Sequence, residues 1–387
     1  MIAFVQPFGL YAPGGSSRIL RALLDGEHPP ALSIYTGGNA TEPLGEIEEI
    51  HMATRPGLGR LDRTRFHKKL GVLDGPFRAR FEARLRRTIR ERNIEAIHIV
   101  PHAYDIVPVY RVATQLKIPY FLNVHDELEY VAIGHPLLKE MVAVMGEAWR
   151  NAAGIFVISD EMGKEYSARY GKRDYEVITD GLAAIADGPL ARPAKSLRVY
   201  FMGLFHYRYQ ANFRALLDAL KLVRAQHPDW DISATCRCQT IVGKLADDDV
   251  PVTVLPFASE SEVANDMLSA DLLYQPLPFE ADAVNFGKFS LSTKLVTYLG
   301  SGLPILYHGP ENTAACQLLM KHDAAVTCTT LDPVAIARQL TDSMTRRDAL
   351  VSNALKIARE RFILADQQER FWRPIEAVLQ LPVTQAG

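Results

Sequence analysis

The sequence has few of the features that mark a specialised class of protein. Only four cysteines, Cys236, Cys238, Cys316 and Cys328, occur among 387 residues. That is too few for a disulfide framework and is typical of a reducing compartment. The Cys236–Cys238 pair has no second pair of ligands at zinc-binding spacing, so no metal site is expected. The first segment, MIAFVQPFGL, has no basic n-region and is too short for a membrane span, so we expect a cytoplasmic protein.

An excess of charge of either sign is also missing. The formal net charge is −2, which argues against a dedicated nucleic-acid binder. Hydrophobic residues make up 48% and charged residues 23%, ordinary values for a globular protein with real cores. The length exceeds the usual range of one domain, so two domains are the first expectation.

Short apolar runs alternate with amphipathic segments along the chain. IAFVQP predicts a buried strand, FGLYAPGGSS a glycine-rich turn and RILRALLDG a helix, the opening of a doubly wound α/β domain. The alternation starts again at residue 197, after a segment rich in glycine and proline. The sequence thus predicts an N-terminal domain, a linker, a C-terminal domain and a last helix at 1–186, 187–196, 197–365 and 366–387. Two such units favour a ligand cleft at the carboxyl ends of strands.

The stretch FSLSTKLVTYLGSGLPILYHGP collects hydroxyl groups and one lysine at the start of a helix. Ser290, Ser292 and Thr293 offer hydroxyl donors, and Lys294 adds a positive charge near the helix N-terminus. Together they favour an anion site for a phosphate or diphosphate. Ser292 as an ordinary N-cap beside a solvated Lys294 is the alternative.

Several segments resemble the GT4-like group of GT-B glycosyltransferases. STKLVTYLGSGLPIL resembles the S-x-P-T-K-L-x-E-Y-L-A-x-G-x-P-V signature of that group. Further resemblances follow in order between residue 1 and about residue 375: GGSSRILRALL, IPYFLNVHDELEY, AAGIFVISDEMGKEYSARYG, VYFMGLFHYRYQANFRALLDAL and VTVLPFASESEVANDMLSADLLYQPL. Each match is weak, but the ordered series is specific.

The resemblance implies two Rossmann-like domains facing across a cleft, with a C-terminal helix that returns to the N-terminal domain. It implies a hexosyltransferase that moves a sugar from a nucleotide-diphosphate donor to a glycan, lipid-linked or other hydroxyl acceptor, with retention. The expected setting is bacterial polysaccharide or glycoconjugate synthesis, and neither a metal nor a cofactor is expected. A noncatalytic relative that binds a nucleotide sugar or a partner protein is the alternative. A sugar-nucleotide epimerase of the same architecture is a third reading.

On the donor side, the resemblance places Ser292, Thr293 and Lys294 against the diphosphate. It suggests Arg208 as a second cation, although a surface arginine is equally compatible with the pattern. Gly14 and Gly15 would let the backbone approach the donor phosphates or the acceptor, or simply form a turn. The remaining donor-side candidates are Gly203, Ser290, Thr297 and Glu280.

Two histidines and an aspartate are the acceptor-side and catalytic candidates. His125 follows a buried strand and, by resemblance, lies beside the transferring sugar; a structural histidine is the alternative. Asp126 comes next in the chain, and His102 in VPHAYD serves the acceptor or caps a helix.

The pattern departs from the family at a pair of glutamates. Many relatives carry E-x7-E, but the corresponding positions here are Phe289 and Thr297. Glu280 or Asp282, in the preceding loop, could supply a carboxylate. The departure leaves the contact to the nucleotide ribose open.

Residues 60–92 form a basic segment with twelve Lys or Arg residues against four acids. Phe77, Phe81, Leu85 and Ile89 recur every four residues, which predicts one apolar helix face. Such a helix can lie on an anionic bilayer, which would place the protein peripherally at the inner membrane face. A core-facing helix with a solvated basic outer face is the favoured alternative, and binding of an anionic acceptor is another.

Overall fold

The structure is a computed structural model that describes residues 1–12, 14–38, 45–56, 67–205, 207–238, 249–280 and 284–379. The chain forms two compact units. Unit 1 comprises Met1–Gly181 together with the chain from Leu364 onwards, and unit 2 comprises Leu182–Ile363.

The division falls after Gly181, before the glycine- and proline-rich segment that suggested a linker. That segment belongs to unit 2, where the backbone N–H of Ala186 donates to Gly300 (2.9 Å) and that of Leu190 donates to Gly302 (3.0 Å). Its composition correctly indicates irregular backbone, but this backbone is packed on unit 2.

Unit 1 is built on a parallel sheet. Its described strands are β1 (Ile2–Gln6), β2 (Ala31–Tyr35), β3 (Glu48–His51), β4 (Ala96–Ile99), β5 (Tyr120–Val124), β6 (Gly154–Val157) and β7 (Glu176–Val177). They pair in the order β3-β2-β1-β4-β5-β6-β7, and every pair is parallel. The order reverses between β1 and β4, which is where a doubly wound sheet binds ligands, beyond the carboxyl ends of its strands.

Helices cover this sheet. The described helices of unit 1 are α1 (Gly15–Leu23), α2 (His67–Leu70), α3 (Asp74–Glu91), α4 (Ile106–Leu116), α5 (Leu128–Val131), α6 (Leu138–Asn151), α7 (Asp160–Tyr170) and α15 (Leu364–Leu379). The indole N–H of Trp372 in α15 donates to the Leu23 carbonyl at 2.8 Å. Phe371 is fully buried against Phe4 and Phe156. The last helix of the chain therefore packs on unit 1, as the resemblance implies.

The basic helix predicted within residues 60–92 is α3. Phe81, Leu85 and Ile89 are buried, so its apolar stripe faces the core of unit 1 and is not free to enter a bilayer. Several arginines on the other faces pair with acids, as Arg78 does with Glu140 at 2.7 Å. Residues 60–66 of the basic segment lie outside the described residues. No helix in the described part of the chain is long and apolar enough to cross a membrane.

Unit 2 repeats the doubly wound plan. Its described strands are β8 (Ser196–Met202), β9 (Asp231–Arg237), β10 (Val252–Leu255), β11 (Leu272–Pro276), β12 (Ile305–His308) and β13 (Val326–Cys328). They pair in parallel in the order β10-β9-β8-β11-β12-β13, so the order reverses between β8 and β11. Two Rossmann-like units of this kind constitute the GT-B fold that the sequence predicts.

The described helices of unit 2 are α8 (Gln210–Gln226), α9 (Glu260–Leu268), α10 (Val284–Phe289), α11 (Thr293–Leu299), α12 (Ala314–Lys321), α13 (Pro333–Thr345) and α14 (Arg347–Arg361). Asn212 in α8 is fully buried and donates to the carbonyls of Leu277 (2.9 Å) and His308 (3.0 Å). This amide fixes the carboxyl ends of β11 and β12, next to the switch point.

Candidate functional site

The most unusual group in unit 2 is the ammonium of Lys294, in the first turn of α11. Its Nζ lies 4.1 Å from the centre of the Phe201 ring and 5.5 Å from that of Tyr209. Within the described residues, no hydrogen bond or salt bridge reaches it. Aromatic faces attract a cation, but they supply less than a carboxylate or a phosphate does. The ammonium is therefore available to an anionic ligand.

Burial shifts the protonation of this amine. It lowers the pKa of Lys294 from its ordinary value of 10.5 to about 7, because the charged form loses water. The thiols of Cys236 and Cys238 oppose the shift to a smaller extent. A nearby phosphate would restore the charged form.

Some of the predicted donor-side residues lie close to Lys294 in the structure. Gly203 follows β8 with φ 106°, and a Cβ built on it would lie 3.5 Å from Cε of Lys294. Ser292 is the N-cap of α11, since its Oγ accepts from the Leu295 N–H at 3.2 Å. Thr297 donates its hydroxyl to the Thr293 carbonyl at 3.1 Å, so that donor is engaged within the helix. Ser290 and Thr293 are partly buried.

Arg208 lies one residue before the Tyr209 ring that Lys294 contacts. Its Nε donates to the Tyr207 hydroxyl at 3.1 Å, and its guanidinium lies over the Tyr207 ring at 5.6 Å. Arg208 thus belongs to the same short turn as Tyr209, and its guanidinium contacts Tyr207. Glu280 is exposed, and Asp282 lies outside the described residues.

In unit 1, His125 directly follows β5 and is only 4% exposed. Its ring is stacked on Phe8, with centroids 6.5 Å apart. Among the described residues, neither ring nitrogen has a hydrogen-bond partner. Burial, assisted by His102, lowers the pKa of His125 to about 3, so its imidazole is neutral at physiological pH.

The other unit 1 candidates lie at the same carboxyl edge of the sheet. His102 follows β4, and its Nδ1 is 3.4 Å from Oδ2 of Asp126. Burial raises the pKa of Asp126, while His102 lowers it. Gly14, with φ 147°, and Gly15 begin α1 after β1 and are exposed.

Two aspartates at this edge were not predicted as site residues. Asp105 is buried before α4 and accepts from the Thr36 hydroxyl at 2.7 Å; burial raises its pKa to about 6. Asp180 is also buried and lies 3.1 Å from Nε of Arg18 in α1. In the sequence, an Asp-Gly pair such as Asp180-Gly181 is typical of a turn. Its ion-pair partner, Arg18, is 162 positions away in the chain, so no local sequence pattern reveals the pair.

Three or more His, Cys, Asp or Glu side chains arranged to hold a metal do not occur among the described residues. The cationic and hydroxyl groups around Lys294 suit an anion.

A comparison with known families finds a match within unit 1. Residues 18–181 match the family model described as a glycosyl transferase 4-like domain. This segment is therefore similar to that family. The match begins in α1 and ends at the last residue before unit 2, and it confirms the resemblance stated from the sequence. None of the curated proteins matches the chain.

Solved structures extend the likeness from residues 18–181 to the fold of the whole chain. The UDP-forming α,α-trehalose-phosphate synthase of Burkholderia xenovorans, in complex with glucose-6-phosphate, is 12% identical with a TM-score of 0.65, covering 97% of this chain and 99% of that one. A trehalose-6-phosphate structure from E. coli, bound with UDP-2-fluoro glucose, is 14% identical with a TM-score of 0.61, covering 98% and 99%. MurG of Acinetobacter baumannii is 14% identical with a TM-score of 0.57 at the same coverage. At identities this low, the matches establish a shared GT-B fold and nothing finer.

Proposed function

We propose that this protein is a glycosyltransferase that takes a sugar from a nucleotide-diphosphate donor and passes it to a hydroxyl acceptor. The observation that carries the proposal is Lys294: its side chain is partly buried near the switch point of unit 2, and its ammonium lies over aromatic rings with no salt bridge among the described residues. UDP is the first nucleotide to test, because it forms part of the names of the two trehalose-linked structures.

Lys294 acts on the leaving group. When the bond between the sugar and the diphosphate breaks, negative charge grows on the phosphate oxygens, and a preorganised cation in a water-poor site stabilises it. The hydroxyls of Ser292 and Thr293 and the guanidinium of Arg208 add further donors. No protein nucleophile is needed if the acceptor attacks from the face of the departing phosphate, which retains the anomeric configuration.

Unit 1 serves the sugar and the acceptor. A neutral His125 can donate one hydrogen bond and accept another, which suits a sugar hydroxyl better than proton transfer at neutral pH. His102 and Asp126 lie at the same edge, on the acceptor side. The acceptor is a glycan, a lipid-linked sugar or another hydroxyl compound of bacterial polysaccharide or glycoconjugate synthesis.

A noncatalytic binder of nucleotide sugars is the second candidate, and one observation favours it. The two positions that carry a glutamate in many relatives are Phe289 and Thr297 here, and neither side chain has a carboxylate. Phe289 is buried, and Thr297 hydrogen-bonds within its helix. Such a protein would bind the donor through Lys294 without transferring its sugar.

The exposed side of α3 is relevant to whether the protein contacts a membrane surface. Arg80, Arg87 and Arg90 are exposed there, and such a basic face can contact anionic lipid headgroups without inserting. Sedimentation with phosphatidylglycerol vesicles, compared with phosphatidylcholine vesicles, tests this contact. Equal recovery with both would rule it out.

Calorimetric titration with UDP, GDP, ADP and TDP tests the donor site. We expect one nucleotide to bind, and Lys294→Ala to weaken that binding by about tenfold or more, since a charge-assisted contact is lost. Lys321→Ala, an exposed lysine of α12, is the matched control and should bind normally. Normal binding by folded Lys294→Ala would contradict the assignment.

Turnover separates the two candidates. A transferase with its bound nucleotide sugar shows transfer or slow hydrolysis of the donor, and Lys294→Ala lowers the rate by at least about tenfold. Binding without either reaction would favour the noncatalytic protein.

A further inference from the structure

A second anion-binding region lies in unit 2, away from Lys294. It is a depression of about 600 Å³ formed by residues 189–192, the end of α13 and the start of α14. The segment 189–192 precedes β8, whereas Lys294 adjoins the end of β8. Because β8 spans seven residues, the two regions are about 20 Å apart along the sheet.

Two arginines line this depression without an acid partner. Arg347 donates from Nη2 to the Leu190 carbonyl at 2.7 Å. Arg192 donates from Nη1 to the Leu268 carbonyl at 2.6 Å and from Nη2 to the Met267 carbonyl at 3.4 Å. Within the described residues, the Nε atom of each is buried without a partner, and neither guanidinium has a salt bridge.

Asp271 offsets this pair only in part: it raises the pKa of both arginines, but the pKa of each stays below its ordinary value. Asp271 is held by Arg198, with Nε–Oδ2 at 3.0 Å, and by the Ser196 hydroxyl. Burial lowers the pKa of both Arg192 and Arg347, and Arg192 lowers that of Arg347 further. Two like charges are thus held together in a partly buried setting, an arrangement that a bound anion would relieve.

The start of α14 adds to the positive character. This 15-residue helix begins at Arg347, and no side chain caps its N-terminus. Arg346 lines the depression too, but both oxygens of Asp323 bind it, at 2.5 and 2.6 Å. Asp348 is the one acid among the lining residues of the depression.

We propose that this depression binds the phosphate group of a small phosphorylated molecule through Arg192 and Arg347. A planar guanidinium pairs with phosphate oxygens through two parallel N–H donors, and the volume admits more than phosphate alone. The site is separate from the donor site and does not depend on the proposed transferase activity.

Calorimetric titration of Lys294→Ala with inorganic phosphate and with glucose-6-phosphate tests this site. The substitution removes the donor-site ammonium, so phosphate bound there does not confuse the result. We expect binding of both probes, and a loss of about tenfold or more when Arg347→Gln is added. Equal affinities identify phosphate itself as the ligand, and tighter glucose-6-phosphate identifies a phosphorylated sugar. Arg338→Gln, an exposed arginine of α13, is the control and should leave binding intact.

Two further variants keep the test decisive if Arg347→Gln fails to fold. Arg192→Lys keeps the charge but loses the planar fork, and should weaken binding. Asp348→Asn removes the opposing carboxylate and should tighten binding several-fold. No binding in Lys294→Ala, or unchanged affinity in every folded arginine and aspartate variant, would overturn the proposal.

Discussion

The partly buried amine of Lys294 makes donor binding depend on pH. Because burial lowers its pKa to about 7, the Lys294 amine of the ligand-free protein is about half protonated at pH 7. A diphosphate beside the amine favours the charged form and raises its pKa, so binding takes up a proton. We therefore expect the affinity for UDP-glucose to fall as pH rises above 7, by up to about tenfold per unit. Calorimetry between pH 6 and 9, in buffers of different ionisation enthalpy, measures both the affinity and the proton uptake.

Two substitutions isolate this effect. Lys294→Arg keeps a charge that does not titrate in this range, and Lys294→Met carries none, so both should bind with little dependence on pH. UDP-glucose is the appropriate probe because its diphosphate has no ionisation near neutrality, unlike UDP. A pH slope that persists in either variant would assign the proton to another group.

The neutral imidazole of His125 predicts a different kind of result. Since its pKa is lowered to about 3, its ring should show no titration by NMR between pH 5 and 8. His125→Ala should lower kcat by at least about tenfold while changing the donor Kd little, because the lost contact is to the transferring sugar. An equal loss in donor affinity would instead give His125 a positioning role.

For individual residues, the sequence predicted which types of side chain lie at the site better than which residues they contact. The hydroxyl cluster pointed to Lys294 because charge and helix start are adjacent in the chain. The contact of its Nζ with Phe201 depends on β8 and α11 meeting, and they are about 90 residues apart. Asp105 was missed for the same reason, since its partner Thr36 is 69 residues away.

Among the secondary-structure elements, the strands buried on both faces were the easiest to predict. IAFVQ and YFLNV are continuous apolar runs, and they form β1 and β5. The strand β3, with the sequence EEIH at the sheet edge, and β9, with DISATCR, carry polar residues and were not predicted. Partial burial of such strands weakens the apolar signal on which sequence reasoning depends.

The turn after α11 should be sensitive to a single methyl group. Gly302 has φ 77°, and a Cβ there would lie 2.8 Å from the Gly188 carbonyl oxygen and 3.0 Å from Cβ of Ala186. Gly302→Ala should therefore lower the free energy of unfolding by about 2 kcal/mol or more, as measured by urea denaturation. Gly188→Ala meets no atom within 4 Å and is the matched control, with little expected change. Equal stability of the two variants would contradict the tight packing of residues 186–190 on this turn.

The whole molecule divides unequally along the chain. Unit 2 is one continuous segment, and its ends meet where the Leu182 N–H donates to the Phe362 carbonyl at 2.7 Å. It has buried cores of its own, including Phe213 and Leu220 on one side of its sheet and Leu295 on the other. We expect residues 182–363 to fold alone with a cooperative thermal transition and to bind the same nucleotide as the full chain. Failure to bind while folded would mean that the donor site needs residues of unit 1.

Unit 1, by contrast, needs both ends of the chain. Phe371 of α15 is fully buried beside His98, with ring centroids 5.3 Å apart, and Gln368 donates to the Ala22 carbonyl at 2.8 Å. Removing residues 364–387 exposes the sheet face that α15 covers, and truncating one buried aromatic side chain alone costs about 3–5 kcal/mol. A chain ending at residue 363 should therefore lose the calorimetric transition of unit 1 and keep that of unit 2. Because unit 2 carries Lys294, nucleotide binding should survive while sugar transfer is abolished. Transfer by the shortened chain would show that the acceptor side tolerates loss of its last helix.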